Sequence, residues 1–194
     1  VLNLIHYFGG DPKSCSAVLL QGGRPVVKAD VKDGAEGLGP LAGDQLHARY
    51  EMPRGRIAYF DSIANDGTNG AGFGLQLIGS KGIIAIQCDR RPLAHLSPGN
   101  PFQPTDQPRR WVPISTAGAG AAEPRDGLDE RISSHVSAAQ DLIDAIIHDR
   151  EPICDVIEGA TTVEMICATF ESHRQGGATV QLPSEERGNG LARL

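Results

Sequence analysis

Hydrophobic and polar positions alternate most cleanly near the middle of the chain. Leu46, Ala48, Tyr50 and Met52 interleave with His47, Arg49 and Glu51, the period-2 pattern of a strand with one buried face. Pro53-Arg54-Gly55 reads as a tight turn and Arg56 to Ala64 as a second strand, so the two form a hairpin. Before them, Val1 to Phe8 reads as a short amphipathic helix with Val1, Leu4, Ile5 and Phe8 on one face, stopped by Gly9-Gly10. Ser14 to Leu20 is a strand candidate, and Asp30 to Asp44, rich in Gly and Asp, reads as a loop. Further strands are expected at Phe73 to Ile78, Ile83 to Cys88 and Trp111 to Ser115. The first two are joined through Gly79-Ser80-Lys81-Gly82. Pro92 to Pro108 reads as an irregular surface excursion, Ser115 to Asp126 as a flexible link, and Asn65 to Gly72 as a Gly-rich loop suited to a substrate lid.

The last third carries two helical stripes. Ile132, Val136, Ala139, Ile143 and Ile146 recur at three- and four-residue steps, as do Ala160, Val163, Cys167 and Phe170. Each stripe must pack against something apolar, most simply one face of the sheet. The pattern as a whole predicts an α+β domain: a mostly antiparallel, open-faced sheet of about six strands with helices packed on one face. A sheet covered on one side leaves the other to water or to a partner, so a homo-oligomer through that free face is expected.

Composition narrows the function classes. The chain has 194 residues, 40% hydrophobic and 22% charged, enough for one sizeable core. Its net charge of -6 argues against nucleic acid as a partner, since phosphate binding needs a cationic face. No apolar run approaches the roughly 20 residues that span a bilayer, so no membrane partner is expected. Cys15, Cys88, Cys154 and Cys167 form no C-x-x-C pair and no zinc-ligand spacing, and read as buried, reduced thiols of a cytoplasmic protein. The segment Gly70-Ala71-Gly72-Phe73-Gly74 contains G-x-G but opens no helix, and Gly118-Ala119-Gly120 fails the same test. A dinucleotide fingerprint needs a strand before the glycines and a helix after them. No cofactor or metal is therefore expected on this chain. No G-x-S-x-G motif or acid–base couple points to a hydrolase. His135 opens a helix behind Ser133-Ser134, and His173 sits in a helix's last turn, where an imidazolium favours the dipole's negative end.

The order of the C-terminal block is distinctive. His135 to Ile147 is a helix, Arg150-Glu151-Pro152 a turn, Glu158 to Arg174 a second helix, Gly176-Gly177 a stop, and Val180-Gln181-Leu182-Pro183 a short strand. With the Gly79-Ser80-Lys81-Gly82 hairpin, this order resembles the C-terminal half of the Gfo/Idh/MocA oxidoreductases, whose members pair a nucleotide-binding domain with a sheet-rich substrate domain. The resemblance implies a single substrate-binding and oligomerisation domain over residues 1–194, with the nucleotide-binding domain outside it. It implies NAD or NADP for the parent protein and, as substrate, a sugar, polyol or related hydroxyl compound bound jointly with the missing domain. The first segment resembles the family's H-x-x-D-x-x-x-x-x-G helix, with Asn3 at the acidic position, Gly9 at the glycine, and the proton-transferring histidine just before Val1. That placement, together with Val1 not being a methionine, suggests that the natural N-terminus lies upstream. Asn3, His6 and Tyr7 are the candidate substrate-binding residues, and no catalytic residue is expected within the chain. The alternative is a stand-alone assembly or small-ligand-binding module on the same fold.

Overall fold

The computed structural model describes residues 1–64, 73–88 and 91–194. In chain order the elements are α1 (Leu2–Gly9), β1 (Ser14–Gln21), β2 (Arg24–Pro25), β3 (Lys32–Asp33), β4 (Pro40–Leu41), β5 (Gln45–Glu51), β6 (Ile57–Ile63), β7 (Gly74–Gly79), β8 (Gly82–Gln87), β9 (Ala94–Pro98), β10 (Val112–Ser115), β11 (Gly118–Ala119), α2 (Leu128–Ser133), α3 (His135–Ile147), α4 (Val156–Arg174) and β12 (Val180–Gln181). A 3-10 turn, Gly190–Arg193, follows. The class is α+β and every strand pair is antiparallel, as the alternation predicts. Among the described residues the pairing gives two five-stranded sheets and a small ribbon. They fall into two compact units, one holding α1, β1 to β6, α4 and β12, the other β7 to β11, α2 and α3. The expected lid, Asn65 to Gly72, lies outside the described residues.

In the first unit the sheet runs β12-β1-β5-β6, with β2 also on β1. The period-2 reading of β5 holds: Ala48, Tyr50 and Met52 are buried. Opposite them on β1, Cys15, Ala17 and Leu19 are buried too, with Cys15 paired to Tyr50 and Ala17 to Ala48. This face packs on α4. The Tyr50 hydroxyl donates to the Met165 carbonyl at 3.0 Å, which ties the middle of the sheet to the middle of the helix.

The inner face of α4 follows the expected stripe only at its C-terminal end: Phe170 is buried and Cys167 half-buried, but Val163 and Ala160 are exposed, and Met165, Ala168, Thr169 and Ser172 are buried instead. The apolar pattern misleads because the helix buries polar side chains that replace strand partners. β1 is paired with β12 only at Ser14 and Cys15, and with β2 only at Leu20 and Gln21. Between these stretches, the Ala17 amide donates to Ser172 Oγ at 2.8 Å and the Leu19 amide to His173 Nδ1 at 3.1 Å. Ser172 Oγ in turn donates to the Ala178 carbonyl at 2.7 Å, and His173 Nε2 to the Val26 carbonyl at 3.0 Å. His173 is thus a buried bridge held as the Nε2–H tautomer by its partners, rather than a charge at the helix end. The helix stops at Gly176 and Gly177, both with positive φ. Gly176 N donates to His173 O and Gly177 N to Ser172 O, a Schellman motif.

The chain end closes over the same helix. Glu171, 4% exposed, accepts from Arg174 Nη2 at 2.6 Å, Gln175 Nε2 at 2.6 Å and Arg193 Nη2 at 2.8 Å. The Arg174 guanidinium first, with Gln175 and Arg193, holds this carboxyl down at about 2, against the opposing effect of burial. Gly190 lies so close to α4 that a Cβ there would meet Phe170 C and Glu171 N, each at 2.7 Å.

In the second unit the sheet order is β11-β10-β9-β8-β7. The register aligns Leu75, Ile86, Ala94 and Ile114 in one row, and Leu77, Ile84, Leu96 and Val112 in the next, on one apolar face. Two expectations are corrected here. The Pro-rich stretch contains β9, which lies between Pro92 and the end of its own run at Pro98. The link after Ser115 is a hairpin whose Glu123 accepts from Thr116 N at 2.8 Å and Thr116 Oγ1 at 2.6 Å. The helix expected from His135 to Ile147 is α3, and Ser134 Oγ caps it by accepting from Val136 N. The Ile132–Ile146 stripe is exposed rather than packed, Val136 and Ile146 each at 73%, and Ala145 is the buried residue of α3. The Arg150-Glu151-Pro152 turn is clamped by Asp141, which accepts from Arg150 Nη2 at 2.7 Å and from Ile153 N at 2.7 Å.

Two stability measurements check this account. Replacing Gly190 by Ala inserts a methyl into the backbone of α4 and should cost about 1–3 kcal/mol in urea unfolding, as overpacking does. The depressed carboxyl of Glu171 contributes stability that is fully present above the ordinary glutamate range near 4.5 and is lost as pH falls towards about 2. A Glu171→Gln variant should therefore be less stable than the wild type at neutral pH, and this gap should close through that acid range.

Candidate functional site

The entrance helix α1 lies against α4 and touches β6. Its inward face is Leu2, Ile5 and His6, rather than Val1, Leu4, Ile5 and Phe8. Phe8 is exposed and meets the Tyr7 ring edge-to-face with centroids 5.1 Å apart. The change follows from His6: a polar side chain takes an inward position because α4 offers it partners there.

His6 is 3% exposed. Its Nδ1 stands 3.3 Å from Glu158 Oε2, and its Nε2 is 3.0 Å from Thr162 Oγ1 and 3.4 Å from Asn3 Nδ2. Glu158 and Thr162 are one turn apart on α4 and share a face. Asp155 caps that turn by accepting from Glu158 N at 2.9 Å. The Thr162 hydroxyl also reaches the Glu158 carbonyl at 3.0 Å. The Glu158 side chain is partly open to solvent, 37% exposed.

The three sequence-predicted residues therefore stand in two positions. Asn3 and Tyr7 are four apart on one helix, hence neighbours on its surface, with Tyr7 64% exposed and Asn3 half-buried. His6 is turned inward behind Asn3. Sequence reading missed Glu158 and Thr162. Their spacing was a signal that they face one way, but nothing local says that they face His6, which lies 156 positions from Thr162.

Other reactive groups are accounted for by packing. Burial pushes the Cys15 thiol up to about 12, more than the Tyr50 hydrogen bond lowers it. Cys154 is exposed. Among the described residues no group of three His, Cys, Asp or Glu side chains could hold a metal ion, and no helix is long and apolar enough to cross a membrane. In the native chain iodoacetamide at mildly alkaline pH should label Cys154 and leave Cys15 unmodified until denaturant is added. Peptide mass spectrometry reads both, and early labelling of Cys15 would contradict the burial.

Comparison with curated protein sequences finds no match. Solved structures share the fold. A levoglucosan dehydrogenase in complex with NADH and levoglucosan superposes with a TM-score of 0.67 at 17% identity, over 95% of this chain and 48% of that one. The WlbA dehydrogenase from Bordetella pertussis, in complex with NADH and UDP-GlcNAcA, gives 0.59 at 15% identity, over 95% and 44%. An oxidoreductase from Agrobacterium radiobacter, in complex with NAD+, L-tartaric acid and magnesium, gives 0.56 at 16% identity, over 93% and 46%. The chain thus spans about half the length of these structures. Residues 1–182 match the family described as the oxidoreductase family, C-terminal alpha/beta domain, and the chain belongs to this Gfo/Idh/MocA family.

Proposed function

We propose that the chain is the substrate-binding and assembly part of an NAD(P)-dependent oxidoreductase acting on a sugar, polyol or related hydroxyl compound. The observation that carries this reading is the Asn3–Tyr7 ridge of α1, fixed from behind by α4 at the segment that resembles the family's H-x-x-D helix. Asn3 offers an amide that hydrogen-bonds a substrate hydroxyl without adding charge. Tyr7 offers an exposed aromatic face for the C–H side of a sugar ring and a phenolic hydroxyl at its rim. The bound compounds of the similar structures, levoglucosan, UDP-GlcNAcA and L-tartaric acid, are all hydroxylated, which supports the same class here. When bound, the nicotinamide would supply the hydride chemistry. The chain's own part is to orient the hydroxyl for a base contributed from outside residues 1–194.

The assembly role rests on the first unit's sheet. α4 covers one face. The opposite face carries exposed Val18, Ile57, Tyr59 and Ile63 around a His47–Asp61 hydrogen bond at 2.6 Å and an Arg49–Glu51 ion pair at 3.0 Å. A mixed apolar and paired-charge surface of this kind suits a second copy of the chain, across an interface above about 1,000 Å².

Two experiments test the reading. Asn3→Ala, in the protein that joins this chain to its nucleotide-binding domain, should lower kcat/KM about tenfold, equal to about 1.4 kcal/mol of transition-state stabilisation. Unchanged kinetics in a folded variant would remove Asn3 from the site. In sedimentation velocity the chain at micromolar concentration should run larger than its 20.5 kDa monomer. A clean monomer would contradict the assembly role.

A further inference from the structure

The contacts of His6 decide its tautomer, and the tautomer decides which end of the Asn3 amide faces out. For the neutral ring two arrangements compete. With the proton on Nε2, the ring donates to Thr162 Oγ1 at 3.0 Å, but its bare Nδ1 then confronts the Glu158 carboxylate at 3.3 Å. With the proton on Nδ1, the ring donates to Glu158 and leaves Nε2 as an acceptor. The Thr162 hydroxyl donates to the Glu158 carbonyl, which leaves the single Nε2 lone pair to Asn3 Nδ2–H. The second arrangement satisfies every group, and a buried ring is costly to leave unmatched.

We infer that His6 is a positioning residue: Glu158 fixes its proton on Nδ1, Nε2 then holds the Asn3 amide nitrogen inward, and the Asn3 carbonyl oxygen is left as the outward acceptor for a substrate hydroxyl. The inference rests on the proposed function for its substrate, though not for its geometry. It gives a reason for asparagine where the resembled helix has an acid. An amide has one donor end and one acceptor end, so a fixed neighbour can choose between them; a carboxylate has no such choice. Among the described residues Asn3 Oδ1 makes no hydrogen bond, which leaves it available. The ring is 3% exposed and acts through Asn3.

Two arms test it. Long-range 1H–15N correlation spectra of the chain should show His6 in the Nδ1–H form, and the Asn3 side-chain NH2 should exchange slowly with solvent. In Glu158→Gln the preference for Nδ1 should weaken, and in His6→Phe the Asn3 protection should be lost. His6→Gln, which restores an acceptor oxygen, should recover part of that protection; a general loss of packing would not be rescued in this way. In the protein that carries the nucleotide-binding domain, His6→Phe should lower kcat/KM about tenfold. Adding it to Asn3→Ala should cost nothing more, because both changes remove one function. An Nε2–H ring, or additive losses in the double variant, overturns the positioning role. Full activity of Asn3→Ala overturns the functional reading instead, whatever the tautomer.

Discussion

The first unit depends on how the open middle of β1 is satisfied. Two backbone amides there, Ala17 and Leu19, have no strand beside them and bond instead to Ser172 and His173 of α4. A buried amide without a partner costs about 1–3 kcal/mol, so these two side chains carry part of the work that another strand would do. They also fix the helix. A strand can slip by two residues, but a hydroxyl and an imidazole nitrogen meeting successive amides on one strand edge leave α4 a single register. Tyr50 repeats the constraint half a helix away by donating to the Met165 carbonyl.

That fixed register reaches the candidate site. The C-terminal half of α4 is locked to the sheet, so the first turns, which carry Glu158 and Thr162, are locked in rotation as well. They meet His6 at 3.3 Å and 3.0 Å, and His6 orients Asn3. The site is therefore assembled from the helix at the start of the chain and the helix near its end. The chain end adds a further brace, with Arg193 on Glu171 and Gly190 against the helix backbone.

Much of this was legible where the cause is local. The alternation of Leu46 to Met52 marks β5 and its buried face, because side chains on a strand alternate by geometry alone. Gly176-Gly177 marks the end of α4, because only glycine takes two consecutive positive-φ positions cheaply. The order of the C-terminal block was enough to mark the family. What stayed hidden is non-local or polar. His173 reads as an imidazolium at a helix end, and Ser172 carries no apolar signal, until the unpaired edge of β1 is known. β9 was masked by the prolines around it. Of the stripe Ala160, Val163, Cys167 and Phe170, only Phe170 is fully buried, because the face of α4 is set by what β1 lacks. At the candidate site, Asn3, His6 and Tyr7 come from the resemblance of the first segment. The inward turn of His6 was not legible, since its partners lie on α4.

The most direct measurement is native-state hydrogen exchange at the Ala17 and Leu19 amides. If Ser172 and His173 complete the edge of β1, both amides exchange only through global unfolding, as slowly as the central ladder with β5. Ser172→Ala should then speed exchange at Ala17 more than at Leu19. Exchange at either amide as fast as in an exposed loop of the wild type would contradict the account.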